Sequence, residues 1–306
     1  LMALDINLKG EYYVSLVYNL LASDELKTSI YEIEHMLQWG TPDDVDEYVK
    51  WSNYFAKLDK DVKILDQFSD LIKLIPLAGA GSRFVKEHYQ DPKPLIPVLD
   101  KPMIINAAES LPNGDSEVFI CQSEHLEKYD LEHAIRGSYP DAEIISINKL
   151  TEGQASTCMI GVEKINLNKK LIIGACDNAM FYNESDLRDL VEDSAIDAVI
   201  FSFRNHVSVK RNPQMYGYVE IDSDNFAKNV SVKVPISASP ENDHAIVGSF
   251  YFKSANIFTL GYEALIRNDN RVNGEFYVDS LMQELITLGY TVKVFEVSDY
   301  ICFGTP

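Results

Sequence analysis

From residue 71 onward the sequence predicts an α/β fold: a doubly wound, mainly parallel mixed sheet with a β-hairpin lid over its site. Three observations carry this prediction. Short apolar runs rich in Ile, Leu and Val alternate with segments of helical period, as in strand–helix–strand units. A Gly-rich loop at 79–84 follows the first such run directly, and folds of this class bind ligands at the carboxyl ends of their strands. A 34-residue sentence also occurs twice, at 9–42 and again at 273–306, so a closing unit of the fold is written at both ends.

The two copies read KGEYYVSLVYNLLASDELKTSIYEIEHMLQWGTP and NGEFYVDSLMQELITLGYTVKVFEVSDYICFGTP. They align without a gap at nine identities, including Gly10/Gly274, Glu11/Glu275, Tyr13/Tyr277, Val14/Val278 and the final Gly-Thr-Pro. Chance gives about two in such a window. A single Gly-rich loop lies between them, so only one copy belongs to a complete unit. The expected layout is residues 1–65 as the tail of one domain plus a linker, and 66–306 as a second domain of the same kind. With a start at Leu1 and a halt at Gly-Thr-Pro, the chain reads as a piece of something longer.

Element by element, 11–21 has helical spacing and 28–33 alternates like a strand. Thr41-Pro42-Asp43-Asp44 signals a helix start, with Thr41 as cap, and that helix is expected to reach residue 55. Residues 57–70 are charged without a period and hold the domain boundary. A buried strand follows at 71–77, then the glycine loop and a proline-rich stretch to 102. Helices are expected at 103–111, 124–136, 154–162 and 186–193, and strands at 117–121, 143–147, 170–174 and 198–203. Residues 216–252 read as hairpins laid over the site, and the second repeat closes the fold with a helix and a strand.

The chain has 306 residues, 46% of them hydrophobic, which is ample for one large core. Its formal charge of −20 is spread along the chain and excludes a nucleic-acid surface, which must neutralise phosphates. An anionic small substrate would need a local cluster of Lys, Arg or metal against that field. The four cysteines, at 121, 158, 176 and 302, have no metal-ligand or disulfide spacing, so a cytoplasmic setting is expected. No apolar run has the length of a membrane span. The six histidines have no paired spacing and read as surface or packing residues.

The strand LIKLIPLA runs into GAGSRFVKEHYQDPKPLIPVLDKPMI. Gly79 and Gly81 allow backbone N–H groups to approach an anion, Arg83 adds a fixed charge, and Lys93 follows across the loop. Phe84 stands where a dinucleotide fingerprint has its third glycine, and no Gly-Lys-Ser/Thr follows as in a P-loop. The string Gly79-Ala80-Gly81-Ser82-Arg83, then Pro92-Lys93-Pro94-Leu95, resembles the signature of the sugar nucleotidyltransferases, the NDP-sugar pyrophosphorylases. The order of that family's landmarks is followed over 72–306.

The resemblance implies a Rossmann-like fold and a loop, 79–82, that wraps an NTP. It implies that Arg83 and Lys93 neutralise the phosphates, with Lys93 near the reacting one. TEGQAST at 151–157 is similar to the family's nucleotide-binding turn, which puts Gly153 against the base and Gln154 in hydrogen-bonding reach; read alone, it is a helix start capped by Thr151. Asp177, in LIIGACDNAMF, resembles the family's Mg²⁺-binding aspartate. Gly217 in YGYVEID, Lys233 in SVKVPIS, Gly248 in VGSFYF, and Glu275 with Asp279 resemble the parts that meet the sugar and its phosphate. The chain departs from the pattern at two places. Val232 stands where relatives carry a glutamate before the lysine, and Cys302 where many carry a second metal-binding Asp. Thiol is a poor ligand for Mg²⁺, so Asp299 or water is the expected replacement.

The function implied is transfer of a nucleotidyl group from an NTP to a sugar 1-phosphate, giving an NDP-sugar and pyrophosphate with Mg²⁺, in polysaccharide biosynthesis. Two alternatives remain open: a non-catalytic nucleotide-binding regulatory module, and a cytidylyltransferase for phosphocholine-like acceptors. No membrane or nucleic-acid partner is expected. Residues 1–65 hold no phosphate loop; their helix at 43–55 is expected to pack on the main domain or on a second copy, making a homo-oligomer.

Overall fold

The computed structural model describes residues 1–33, 36–58 and 67–305. The chain divides into two compact units, Leu1–Asp61 and Val62–Pro306. The boundary expected at 65/66 lies outside the described residues.

The first unit holds a short 3₁₀ turn, Met2–Leu4, and two helices, α1 (Ser15–Ser23) and α2 (Pro42–Leu58). Thr41 starts α2 as expected: its hydroxyl accepts from the Asp44 N–H at 3.2 Å, and the Asp44 carboxylate accepts the Thr41 N–H at 3.0 Å. This reciprocal pair satisfies two donors that the helix leaves orphaned. The strand expected at 28–33 does not form. Alternation shows which faces a strand would use, but a strand exists only through ladder bonds to a neighbour. No described residue of this unit is buried.

The second unit begins with β1 (Leu71–Leu77), α3 (Ser82–Lys86), the two-residue strands β2 (Pro97–Val98) and β3 (Lys101–Pro102), and α4 (Met103–Glu109). It continues with β4 (Ser116–Gln122), α5 (Ser123–Lys128), α6 (Leu131–Ser138), β5 (Glu143–Ile147), α7 (Gln154–Val162), β6 (Lys170–Ile173), β7 (Asn178–Phe181) and α8 (Glu184–Glu192). Next come β8 (Ala198–Phe203), α9 (Val207–Arg211), β9 (Gly217–Ile221), β10 (Ala227–Val232) and β11 (His244–Phe252). The chain then closes with α10 (Ala255–Arg267), α11 (Val278–Thr287), β12 (Val292–Glu296) and β13 (Asp299–Cys302).

A nine-stranded sheet organises these elements. Strands β5, β4, β1 and β6 run parallel in that order; β11 pairs antiparallel with β6 and, on its other edge, with β8, beside which β12 lies parallel. The hairpin β9–β10 joins the far half of β11. Helices cover both faces, so β1 is buried along its whole length and reads as a continuous apolar run rather than an alternating one. Its one charge, Lys73, is fully buried; its ammonium donates to the Ala108 carbonyl at 3.1 Å near the end of α4.

Two details differ from expectation. The helix expected over 124–136 is broken into α5 and α6 because Tyr129 is extended. Of the hairpins expected over 216–252, only β9–β10 is a lid, since β11 is the antiparallel strand inside the sheet. Helix α10, unassigned from sequence, packs against α11 and α7 and bears the closing segment.

Candidate active site

A cleft of about 430 Å³ opens at the carboxyl end of β1, between the glycine loop and the β9–β10 hairpin. The loop is shaped by Gly81, whose φ of 58° lies in the left-handed region. Its neighbour across the loop is close, because a Cβ on Gly81 would stand 3.3 Å from the Lys93 Cβ. From the end of β4, the Gln122 amide donates to the carbonyls of Ala78 and Gly79, both at 2.9 Å. That tie pins the start of the loop to the end of β4. Nothing in the sequence marked Gln122 except its place at the end of a strand.

Lys93 opens the 3₁₀ turn Lys93–Leu95, and its ammonium forms an ion pair with Asp177. Burial, the largest single influence, pulls this lysine down, but the Asp177 carboxylate and the hydrogen bond to it, together with Cys176 and Cys302, hold the ammonium above its usual range. Asp177 follows the buried strand β6 and is clamped by the other end of the chain. The small antiparallel pair β7–β13 brings Phe303 alongside, whose N–H donates to the Asp177 carbonyl at 2.7 Å. Arg83 reaches the same corner and donates to the Gly304 carbonyl at 3.4 Å.

Opposite lie Lys233, at the end of β10, and Gly217, at the start of β9. The Lys233 ammonium donates to the Met215 carbonyl at 2.9 Å and lies 5.5 Å from the Tyr277 ring centre. Burial lowers its pKa, Asp279 opposes that, and Arg83 adds to it. Gly217 is required by close approach, since a Cβ there would fall 2.3 Å from the Asp279 Oδ1. Gly248, with φ 92°, sits where the β11 register shifts, a bulge that turns the backbone toward the cleft.

The cleft therefore brings together Gly79, Gly81, Ser82, Arg83, Lys93, Gln154, Asp177, Gly217, Lys233, Gly248 and Glu275. Ala80 and Gly153 do not line it. Gly153, at φ 132°, is pressed against the chain at Phe276, where a Cβ would meet the Phe276 N and O at 2.5 Å. Thr151 does not cap α7 either; Gly153 is the N-cap, and the Thr151 hydroxyl donates to the Gly153 carbonyl at 2.9 Å. Asp299 is not a substitute for the Cys302 position. It pairs with Phe181 at the far end of β13, whereas Cys302 pairs with Asn178 beside Asp177. Sequence reasoning missed Tyr216, Tyr277 and Asn178 as lining residues, and their neighbours Gly217, Glu275 and Asp177 are the only signals that point to them.

Three cations, Arg83, Lys93 and Lys233, thus face one cleft in a chain of net charge −20. Three carboxylates, Asp177, Glu275 and Asp279, line it too, so the cations offer separate local sites for anionic groups rather than a net positive field. Residues 73–273 match the family model described as Nucleotidyl transferase. The chain belongs to the nucleotidyl transferase family.

Two curated relatives of this nucleotidyltransferase support the match. A UTP–glucose-1-phosphate uridylyltransferase of Pseudomonas aeruginosa is 26% identical over 237 residues, 69% of this chain and 83% of the relative. The low-salt glycan biosynthesis nucleotidyltransferase Agl11 of Haloferax volcanii is 24% identical over 70% of this chain, which spans 57% of that relative. Among solved structures, a nucleoside-diphosphate-sugar pyrophosphorylase from Vibrio cholerae shares the fold at a TM-score of 0.62 and 18% identity, covering 76% of this chain and 96% of that one. Among the described residues, no helix is long and apolar enough to cross a membrane.

Burial also acts on the acid beside Gly217, pushing the Asp279 carboxyl up to about 6. A carboxyl with a raised pKa binds its proton more readily folded than unfolded, so stability falls as pH rises from about 4 through about 6. At about 1.4 kcal/mol per unit, the penalty at neutral pH is about 3 kcal/mol. Asp279→Asn in this nucleotidyltransferase is expected to raise Tm at pH 8 and to leave it unchanged near pH 4. A gain that is equal at both pH values would show that ionisation of Asp279 is not the cause.

Proposed function

We propose that the cleft joins an NTP to a sugar 1-phosphate, producing an NDP-sugar and pyrophosphate. The observation that carries this reading is the placement of Arg83 and Lys93 on the glycine-loop side and Lys233 on the hairpin side of one cleft. Two phosphate-bearing substrates would then meet between them. The N–H groups of 79–82 and the Arg83 guanidinium hold the triphosphate. Lys93 leaves Asp177 to neutralise the α-phosphate, and Lys233 orients the acceptor phosphate. An acceptor phosphate oxygen attacks the α-phosphorus in line; the bond to the β-phosphate oxygen breaks, and pyrophosphate leaves with that electron pair. No proton needs to move, because the attacking oxygen is already anionic, so the residues act by position and charge.

Asp177 is the residue that would hold Mg²⁺, and the donor set fits that ion only with help from the substrates. Among the described residues, no group of three acidic, Cys or His side chains is gathered for a metal. The adjacent Cys302 thiol is held above its usual pKa, chiefly by burial, and so remains protonated and a poor partner for a hard cation. One carboxylate plus phosphate oxygens and water is an ordinary Mg²⁺ environment. Bound there, the ion would add positive charge beside the phosphates.

The sugar is read by the hairpin and by the wall around Glu275, Tyr277 and Asp279. Val232 offers no hydrogen bond to a sugar hydroxyl, which leaves that wall as the polar side of the acceptor site. Mass spectrometry of reactions pairing each NTP with hexose 1-phosphates and with phosphocholine tests this reading. An NDP-sugar from one pair is expected. A CDP-alcohol alone would replace the acceptor class, and no product from any pair, despite nucleotide binding, would favour a regulatory module.

A further inference from the structure

The sequence repeat is also a repeat of backbone structure. Leu8 and Glu11 exchange hydrogen bonds across a turn, at 2.9 and 3.1 Å, as Val272 and Glu275 do at 3.0 and 3.0 Å. The two central residues of each turn have positive φ: 53° and 86° at Lys9-Gly10, 52° and 83° at Asn273-Gly274. Helices α1 and α11 end at aligned residues, Ser23 and Thr287. Their caps match as well. The Leu26 N–H donates to the Leu21 carbonyl at 2.9 Å, and the Tyr290 N–H to the aligned Leu285 carbonyl at 3.0 Å. Glu25, with φ 57°, even adopts the left-handed conformation that Gly289 adopts at 88°. From residue 8 to 26, therefore, the first copy folds locally like the second.

Beyond that point they part. Residues 292–296 form β12 on the edge of β8, with Val294 opposite Ile200. The aligned residues 28–32 form no strand. The apolar pattern nevertheless persists. Val14 is 75% exposed where Val278 is 0%, Ile30 is 100% exposed where Val294 is 6%, and Trp39 is 57% exposed where Phe303 is 7%. Tyr18, Ile33 and Leu37 are likewise exposed at the positions of buried Met282, Val297 and Ile301. Apolar side chains kept at most of the apolar positions that the second copy buries, with Thr28 at that of Val292 an exception, are suited to a surface that covers them.

We propose that residues 9–42 are the closing helix–strand segment of a second nucleotidyltransferase-type sheet, carried on the same polypeptide ahead of this one. The surface that fits them must offer an uncovered parallel edge like that of β8, a strand like β7, and a helix like α10. The sheet in this chain cannot supply that surface, because its own residues 278–302 already fill it. Chain order selects the source. In the second copy, only residues 268–277 separate α10 from α11, so a closing segment directly follows the sheet it completes. The partner sheet of 9–42 accordingly precedes it. The segment is not a second catalytic half, since it holds no glycine loop and Ser15 stands at the position of Asp279.

Hydrogen exchange tests this on chain 1–306 and on the natural polypeptide with whatever its gene encodes ahead of residue 1. In chain 1–306, amides at 28–33 are expected to exchange freely while those at 292–296 are slow. In the longer polypeptide, amides at 28–33 are expected to slow by at least about 100-fold, through membership of a folded sheet. Ile30→Asp is expected to abolish that slowing while leaving exchange at 292–296 unchanged. A gene that encodes no sheet ahead of residue 1 would overturn the proposal. So would free exchange at 28–33 in the longer polypeptide, or slowing that appears only where it dimerises, which would identify a second copy instead.

Discussion

Lys93→Ala is expected to lower kcat about 100- to 1,000-fold, the loss typical when one pre-organised donor to developing charge is removed. The fold is expected to survive. Lys93 contributes its charge to a cleft, not to a core, and both members of the Lys93–Asp177 pair retain some contact with solvent. Removing the ammonium leaves Asp177, 27% exposed at the mouth of the cleft, within reach of water, which limits the cost of the charge left unpaired. The variant's Tm should therefore stay within a few degrees of the parent, in line with a change of about 1 kcal/mol or less. Lys93→Arg should not restore the rate, because a planar guanidinium cannot replace a compact ammonium against one phosphate. Steady-state kinetics with Tm measured on the same preparations checks both statements. Full turnover in Lys93→Ala would remove this lysine from the chemistry.

Gly153→Ala is expected to do the reverse, damaging the fold first. A side chain at φ 132° is strained in itself, by about 1–3 kcal/mol. The added carbon would also lie 2.5 Å from the Phe276 backbone, which cannot swing aside as a side-chain tip would. Two hydrogen bonds fix that contact: Phe276 N–H to the Glu152 carbonyl at 2.8 Å, and Ala155 N–H to the Phe276 carbonyl at 2.9 Å. Strain and overpacking together should cost about 3 kcal/mol or more. Denaturant midpoints measure it. Because Phe276 is flanked by the cleft residues Glu275 and Tyr277, activity should fall along with stability. An Ala variant with the parent's stability and weaker nucleotide binding would instead restore Gly153 to the base-binding role that its motif implies.

These two residues show what was legible in the sequence. The strand–helix alternation from 71 to 203 was readable because parallel strands buried on both faces are short apolar runs, and four elements, Leu71–Leu77, Glu143–Ile147, Gln154–Val162 and Ala198–Phe203, have the bounds expected. The glycine loop was readable because its chemistry is local: Gly81 needs its left-handed backbone, and Lys93 follows within the same connection. The clamp on Asp177 was not. It joins β7 to β13 across more than a hundred residues, and no spacing announces which distant strands will pair. Gln122 and Tyr277 were missed for the same reason, as each acts through where its strand or helix ends. Residues 28–33 failed in the opposite direction. Their alternation names the faces a strand would use, but a strand is a property of two segments, and among the described residues 28–33 pair with no other strand.

The most direct test of the central claim follows the phosphorus. The cleft is proposed to direct attack at the α-phosphate, so label in the α-position of the NTP should appear in the sugar nucleotide, and label in the γ-position should appear in pyrophosphate. Parallel reactions with α- and γ-labelled NTP, separated by chromatography, measure this partition. Transfer of γ-label to the acceptor, or its release as inorganic phosphate while the α-label stays in NDP, would show phosphoryl transfer or hydrolysis and contradict the account.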